Sequence, residues 1–126
     1  MIYRMKWRIE LYKTASGKCS IIEYLQSLSP KYRSKIERGI DLLELYGIFL
    51  PYPFKRKIVG CRYKNLWELR IRFGEDRFRI IYFLYRENIF ILVNAFCKKE
   101  QKIPKNELEI ARSRMVDFLN RDKGVK

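Results

Sequence analysis

The stretch Leu66-Trp67-Glu68-Leu69-Arg70-Ile71-Arg72-Phe73, broken by Gly74-Glu75-Asp76 and resumed as Arg77-Phe78-Arg79-Ile80-Ile81-Tyr82-Phe83-Leu84-Tyr85, decides how this chain is read. Side chains of a strand point alternately to its two faces. Trp67, Leu69, Ile71 and Phe73 therefore share one side, and Glu68, Arg70 and Arg72 the other. The short polar break predicts a hairpin, which sets Arg77 or Arg79 beside Arg70 or Arg72. Like charges opposed across a sheet are destabilising. A single arginine is adequately explained as a solvated surface residue, whereas this cluster points to an anion that it serves. Trp67, Phe78, Tyr82 and Phe83 are assigned to the core rather than to base stacking.

Outward from that hairpin, a third apolar run from Ile89 to Cys97 follows the break Arg86-Glu87-Asn88 and completes a three-strand meander with Tyr63 to Phe73 and Arg77 to Tyr85. The last two runs are apolar on both faces, as interior strands are. Pro104 then opens a helix through Leu108, Ala111, Met115 and Phe118, and Arg121 to Lys126 is expected to fray. Upstream, residues 3 to 12 alternate as a half-buried strand, with Tyr3, Met5, Trp7, Ile9 and Leu11 on one face. Ser20 and Glu23 have capping-box spacing and begin a short helix. Ser29-Pro30 begins a second, whose apolar positions Tyr32, Ile36, Ile40, Leu43 and Tyr46 keep helical spacing and which Gly47 ends. Leu50-Pro51-Tyr52-Pro53 is a connecting loop. The reading is an α+β fold: strand, helical hairpin, three-strand antiparallel meander, C-terminal helix, in a single domain spanning 1–126.

The chain carries 28 Lys and Arg against 14 Asp and Glu, a formal charge of +14, and its pI is about 9.9. Polyanions are the partners such a balance selects. Between Lys55 and Lys105 there are 14 basic and 5 acidic residues, so 51 residues carry +9. Lys55-Arg56-Lys57 reads as a phosphate-contacting loop, and Arg72, Arg77 and Lys102 as further RNA-contacting cations. The basic residues sit in strands rather than on an amphipathic helix, and the apolar runs are too short to span a bilayer, so no membrane partner is expected. With no signal-peptide pattern, a cytoplasmic location is expected. Cysteines at 19, 61 and 97 make no paired motif, which argues against a disulfide framework or a zinc site.

Histidine is absent, which removes the usual general base and commonest metal ligand. Cleavage of RNA through its own 2′-hydroxyl needs a base for that hydroxyl, positive charge on the phosphate and an acid for the leaving 5′-oxygen. Arginine and lysine supply the last two. The base is either Glu68 or a lysine whose pKa is lowered by crowding among cations. No metal or other cofactor is required, because the nucleophile lies within the RNA.

Leu66-Trp67-Glu68-Leu69-Arg70, Arg79-Ile80-Ile81-Tyr82-Phe83, Ala95-Phe96-Cys97-Lys98-Lys99, Gln101-Lys102-Ile103-Pro104 and Glu107-Leu108-Glu109-Ile110-Ala111, in this order, resemble the HigB-like, phage-derived Gp49-like branch of the RelE/ParE toxin superfamily. The resemblance is close over residues 62 to 115. It implies a RelE-like microbial RNase fold and the toxin of a type II toxin-antitoxin system, an endoribonuclease that cleaves mRNA on the ribosome and stops translation. It also implies a cognate antitoxin of the HigA-like, helix-turn-helix kind. Arg70 and Arg79 fall where the family places phosphate-binding arginines, and Lys99 at the basic position that stabilises or protonates the leaving group, with Lys98 its neighbour. Glu68 stands where the RelE pattern has a lysine proposed as the base. Arg79 is expected to be exposed, so that its loss should leave the fold intact. The alternatives are a ParE-like protein that inhibits gyrase by binding, and a non-catalytic basic RNA-binding module.

Overall fold

The computed structural model of the chain describes residues 6–99 and 102–124. A five-stranded sheet runs in the order β1-β5-β4-β3-β2, from β1 (Arg8–Leu11), β2 (Lys55–Lys57), β3 (Trp67–Phe73), β4 (Asp76–Tyr85) and β5 (Ile89–Lys98). Helices α1 (Ser20–Ser27) and α2 (Pro30–Tyr46) lie between β1 and β2, and α3 (Lys105–Gly124) follows β5. The expected meander of β3, β4 and β5 is antiparallel, and β4 and β5 are interior strands buried on both faces. β1 joins beyond β5 and runs parallel to it, because the helical hairpin carries the chain from one edge of the sheet to the other. The sheet is therefore mixed. Lys55-Arg56-Lys57, expected as a loop, is instead an edge strand paired antiparallel with Trp67–Leu69.

Two apolar layers hold the sheet. On one face Leu69, Ile71, Phe78, Ile80 and Tyr82 pack with Ile21 of α1 and Ile36 and Leu43 of α2. On the other, Ile81, Phe83, Ile91 and Val93 pack with Ala111 and Met115 of α3. Phe78, Tyr82 and Phe83 are core residues, as expected. Trp67 is half-buried, with the ammonium groups of Lys55 and Lys57 4.7 and 5.3 Å from its ring centre.

The helix ends depart from the sequence reading in three places. The Ser29 side chain precedes α2 but makes no capping hydrogen bond, so that Pro30 at the first turn marks the start. Cys19, not Ser20, precedes the first helical residue of α1, and the Ser20 hydroxyl is buried without a hydrogen-bond partner. The capping box does not form; burial of Ile21 secures the helix instead. At the C-terminus α3 continues to Gly124 rather than fraying from Arg121. Arg121 explains this, donating to Asp117 at 3.0 Å and to the Lys13 carbonyl. Tyr3 and Met5 lie outside the described residues, but Trp7 is buried as expected. Gly47 ends α2 with φ +56°, where a Cβ would stand 2.0 Å from the Trp7 ring. No helix among the described residues is long and apolar enough to cross a membrane.

Candidate active site

The hairpin register pairs Arg70 with Arg79 and Arg72 with Arg77. In β4 and β5, Arg77 faces Lys98 and Arg79 faces Phe96. The α3-side core reaches Ile81 and Phe96, and five cations continue that face beyond it. Beneath them lies Glu68, 4% exposed. Its Oε1 is 3.5 Å from Arg70 Nε and its Oε2 3.8 Å from Arg79 Nε.

A β-bulge decides which lysine joins the arginines. Ile81 faces Asn94 and Tyr82 faces Leu92, so Val93 is an extra residue in β5 and the alternation slips by one. Ile91 and Val93 point to the α3 side, and strict counting from them would bring Lys99 to the arginine face. Past the bulge, Phe96 and Lys98 take that face instead. Lys98 is buried, whereas Lys99 is exposed after the strand's end. Burial lowers the Lys98 pKa below its usual value, the neighbouring Arg79, Arg70 and Arg77 lower it further, and Glu68 opposes them.

Arg79 is the most constrained of the group. It is 4% exposed, which corrects the expectation of an exposed side chain: β4 is interior, so its neighbours on both sides cover the guanidinium. One terminal N–H donates to the Phe78 carbonyl at 3.0 Å, but Nε is buried without a hydrogen-bond partner. Its nearest carboxylate oxygen, Glu68 Oε2, stands 3.8 Å away, an ion pair rather than a hydrogen bond. Burial, with the crowding of Arg70, Arg77 and Arg72, lowers its pKa against the pull of Glu68. Arginine nevertheless stays charged throughout the physiological range. The arrangement is a preformed, under-satisfied set of donors, suited to an oxyanion.

β2 pairs only with the start of β3, so the outer edge of β3 from Ile71 onward has no strand beside it. A cavity of about 440 Å³ opens there. Arg56, Arg70, Arg72, Arg77, Arg79 and Lys98 line it from the sheet, and Lys35 and Arg38 from α2. Eight cations and no carboxylate thus face one space. The remaining wall is Gly39, Leu42, Pro53, Phe54 and Ile71. Gly39 permits this closeness: a Cβ there would stand 2.6 Å from Ile71 Cγ1.

Of the residues expected from sequence, the structure brings together Glu68, Arg70, Arg72, Arg77, Arg79, Lys98 and Arg56. Lys99 and Lys102 are exposed and do not line the cavity. Lys55 donates to the Ile48 carbonyl at 2.6 Å and, with Lys57, packs on Trp67. Sequence reasoning missed Lys35 and Arg38. With Lys31 they repeat at four- and three-residue spacing, a cationic stripe on α2 that a reading of apolar positions passes over. Lys31, Lys35, Arg38 and Arg72 line a second, adjoining hollow. Among the described residues, no three His, Cys, Asp or Glu side chains come together as a metal site.

No curated protein matches the chain. The family model described as phage derived protein Gp49-like (DUF891) matches residues 23–116, a span holding the end of α1, all of α2, the whole meander with its arginine cluster, and more than half of α3. That span exceeds half of the chain, and the protein therefore belongs to the phage-derived Gp49-like family, a toxin-antitoxin-related family.

Proposed function

We propose that the protein is the toxin of a type II toxin-antitoxin pair, acting as an endoribonuclease of the HigB/RelE kind on mRNA in the ribosome. The observation that carries the reading is the convergence of eight cations, Arg79 and Arg70 among them, on one cavity lined by no carboxylate. Like charges gathered in this way oppose folding, and a bound phosphate offsets their repulsion. Arg79 and Arg70 hold the non-bridging oxygens of the scissile phosphate and stabilise the charge that grows there in the transition state. The 2′-oxygen of the RNA attacks phosphorus, its proton passing to water at the open side of the cavity, and the bond to the 5′-oxygen breaks. Lys98, rather than Lys99, protonates that leaving oxygen, because it is the lysine on the arginine face. The products are a 2′,3′-cyclic phosphate and a free 5′-hydroxyl. Glu68, buried under both arginines, serves as a positioning residue that fixes their guanidinium planes.

An antitoxin partner follows from this reading: by covering or filling a site of such charge it would silence the enzyme. The reading is tested by mapping mRNA ends after brief induction, with and without active translation. Cuts within translated frames that vanish when ribosomes are removed are expected, and Arg79→Lys should abolish them while the protein remains folded. Intact transcripts with collapsed DNA supercoiling would overturn the proposal in favour of gyrase inhibition.

A further inference from the structure

The cavity beside β3 has two chemically different walls. A phosphate alone requires only cations, yet Pro53, Phe54 and Leu42 present apolar surface to the same space. Its volume of about 440 Å³ is in the range of pockets that enclose small organic ligands. A ligand with one anionic end and one flat apolar end uses both walls.

Phe54 of this wall and Tyr52, which lies beside the cavity without lining it, are both exposed. Tyr52 is 70% and Phe54 45% exposed, in a chain whose Phe78, Tyr82, Phe83 and Phe90 are buried. The Arg70 backbone N–H donates to the Phe54 carbonyl at 2.8 Å, which ties the segment to the strand that carries the arginine. The Tyr52 ring centre lies 5.6 Å from the Arg70 guanidinium. An aromatic surface is thus fixed next to an arginine of the cationic wall.

We propose that Tyr52-Pro53-Phe54 forms a nucleobase subsite, in which one nucleotide of an unpaired RNA strand stacks its base on Phe54, with Tyr52 at the rim, while its phosphate sits on Arg70 and Arg79. The proposal rests on the ribonuclease reading and adds to it a requirement for single strands, since a base inside a duplex offers no free face to an aromatic side chain. It also makes Phe54 a determinant of which base is preferred beside the cut.

The test uses the purified chain and a fluorescently labelled RNA oligomer with a deoxynucleotide at each position that would otherwise be cut, together with the same strand carrying abasic residues. Wild-type protein is expected to bind the base-containing strand about ten-fold more tightly than the abasic one, the size of one stacking contact. Phe54→Leu should erase that preference and Tyr52→Leu reduce it, both keeping wild-type thermal stability and salt-dependent residual binding. Equal affinity of the wild type for the two strands, or an undiminished preference in both variants, overturns the subsite and leaves the exposed aromatics to a protein contact. Base-dependent binding without cleavage in any translating system would instead sink the ribonuclease reading and leave the subsite standing. No binding of either strand would overturn the subsite, while the ribonuclease reading stands or falls on the mapping of mRNA ends in translating cells.

Discussion

Replacing Glu68 by glutamine keeps the side chain's size and removes the carboxylate that lies within 4 Å of both Arg70 and Arg79. At 3.8 Å, and with an effective dielectric constant of about 20, the attraction to Arg79 is about 4 kcal/mol. The attraction to Arg70 is similar in vacuum terms but weaker in effect, because the Arg70 side chain is 24% exposed and solvent screens it. The glutamine recovers part of the loss, since it no longer carries the desolvation cost of a buried carboxylate. What it does not relieve is the mutual repulsion of Arg70, Arg72, Arg77, Arg79 and Lys98. The net expectation is a loss of about 3 kcal/mol, in the range found when one partner of a buried pair is removed. Urea unfolding at neutral pH measures it, with Glu87→Gln as an exposed control expected to change stability by less than about 0.5 kcal/mol. Because the remaining charges are all positive, added inorganic phosphate should stabilise the Glu68→Gln protein more than the wild type. A loss below about 1 kcal/mol, or an equal response of both proteins to phosphate, would refute the reasoning. Stability is the readout, so the result is independent of any part Glu68 plays in catalysis.

Further expectations concern other parts of the molecule. Gly47→Ala should cost about 3 kcal/mol or more in thermal unfolding, because φ is +56° and its Cβ would overlap the Trp7 ring. Gly17→Ala, also at positive φ but with open space around it, should cost only about 1 kcal/mol. If Lys98 is the proton donor, the cleavage rate falls as pH rises through its lowered pKa, and Lys98→Arg should move that limb upward; an unmoved limb would exclude it. On the acid side, Arg62 donates to Glu109 at 2.7 and 2.6 Å, and Tyr63 adds a third bond. These bonds hold the Glu109 pKa down at about 2, from an ordinary 4.5. A depressed carboxylate stabilises the fold above its unfolded pKa, and that contribution is lost as pH falls from about 4.5 towards 2. Melting temperatures across that interval should therefore drop less steeply in Glu109→Gln than in the wild type.

Local periodicity carried a large share of the answer. Alternation in residues 66 to 73 puts Glu68, Arg70 and Arg72 on one face whatever surrounds them, and the short break at Gly74-Glu75-Asp76 closes a hairpin that opposes them to Arg77 and Arg79. Helical spacing with Pro30 and Gly47 likewise bounded α2, since both residues act through their own backbone geometry. The charge that selects a polyanion is also a property of the chain alone. Tertiary structure decided what depends on neighbours. The parallel placement of β1 and the edge pairing of β2 follow from how the hairpin crosses the sheet, and the extra residue at Val93 emerges only when β5 is laid against β4. That bulge turns Lys98 rather than Lys99 towards the arginines. Covering by the interior of the sheet buries Arg79, and the close approach that Gly39 allows brings Lys35 and Arg38 from α2 to the cavity. What the chain alone fixes is thus that these charges share one face of the sheet, because strand alternation is a local rule. Which further cations and which apolar residues line the cavity beside them was settled by long-range packing, which no local rule encodes.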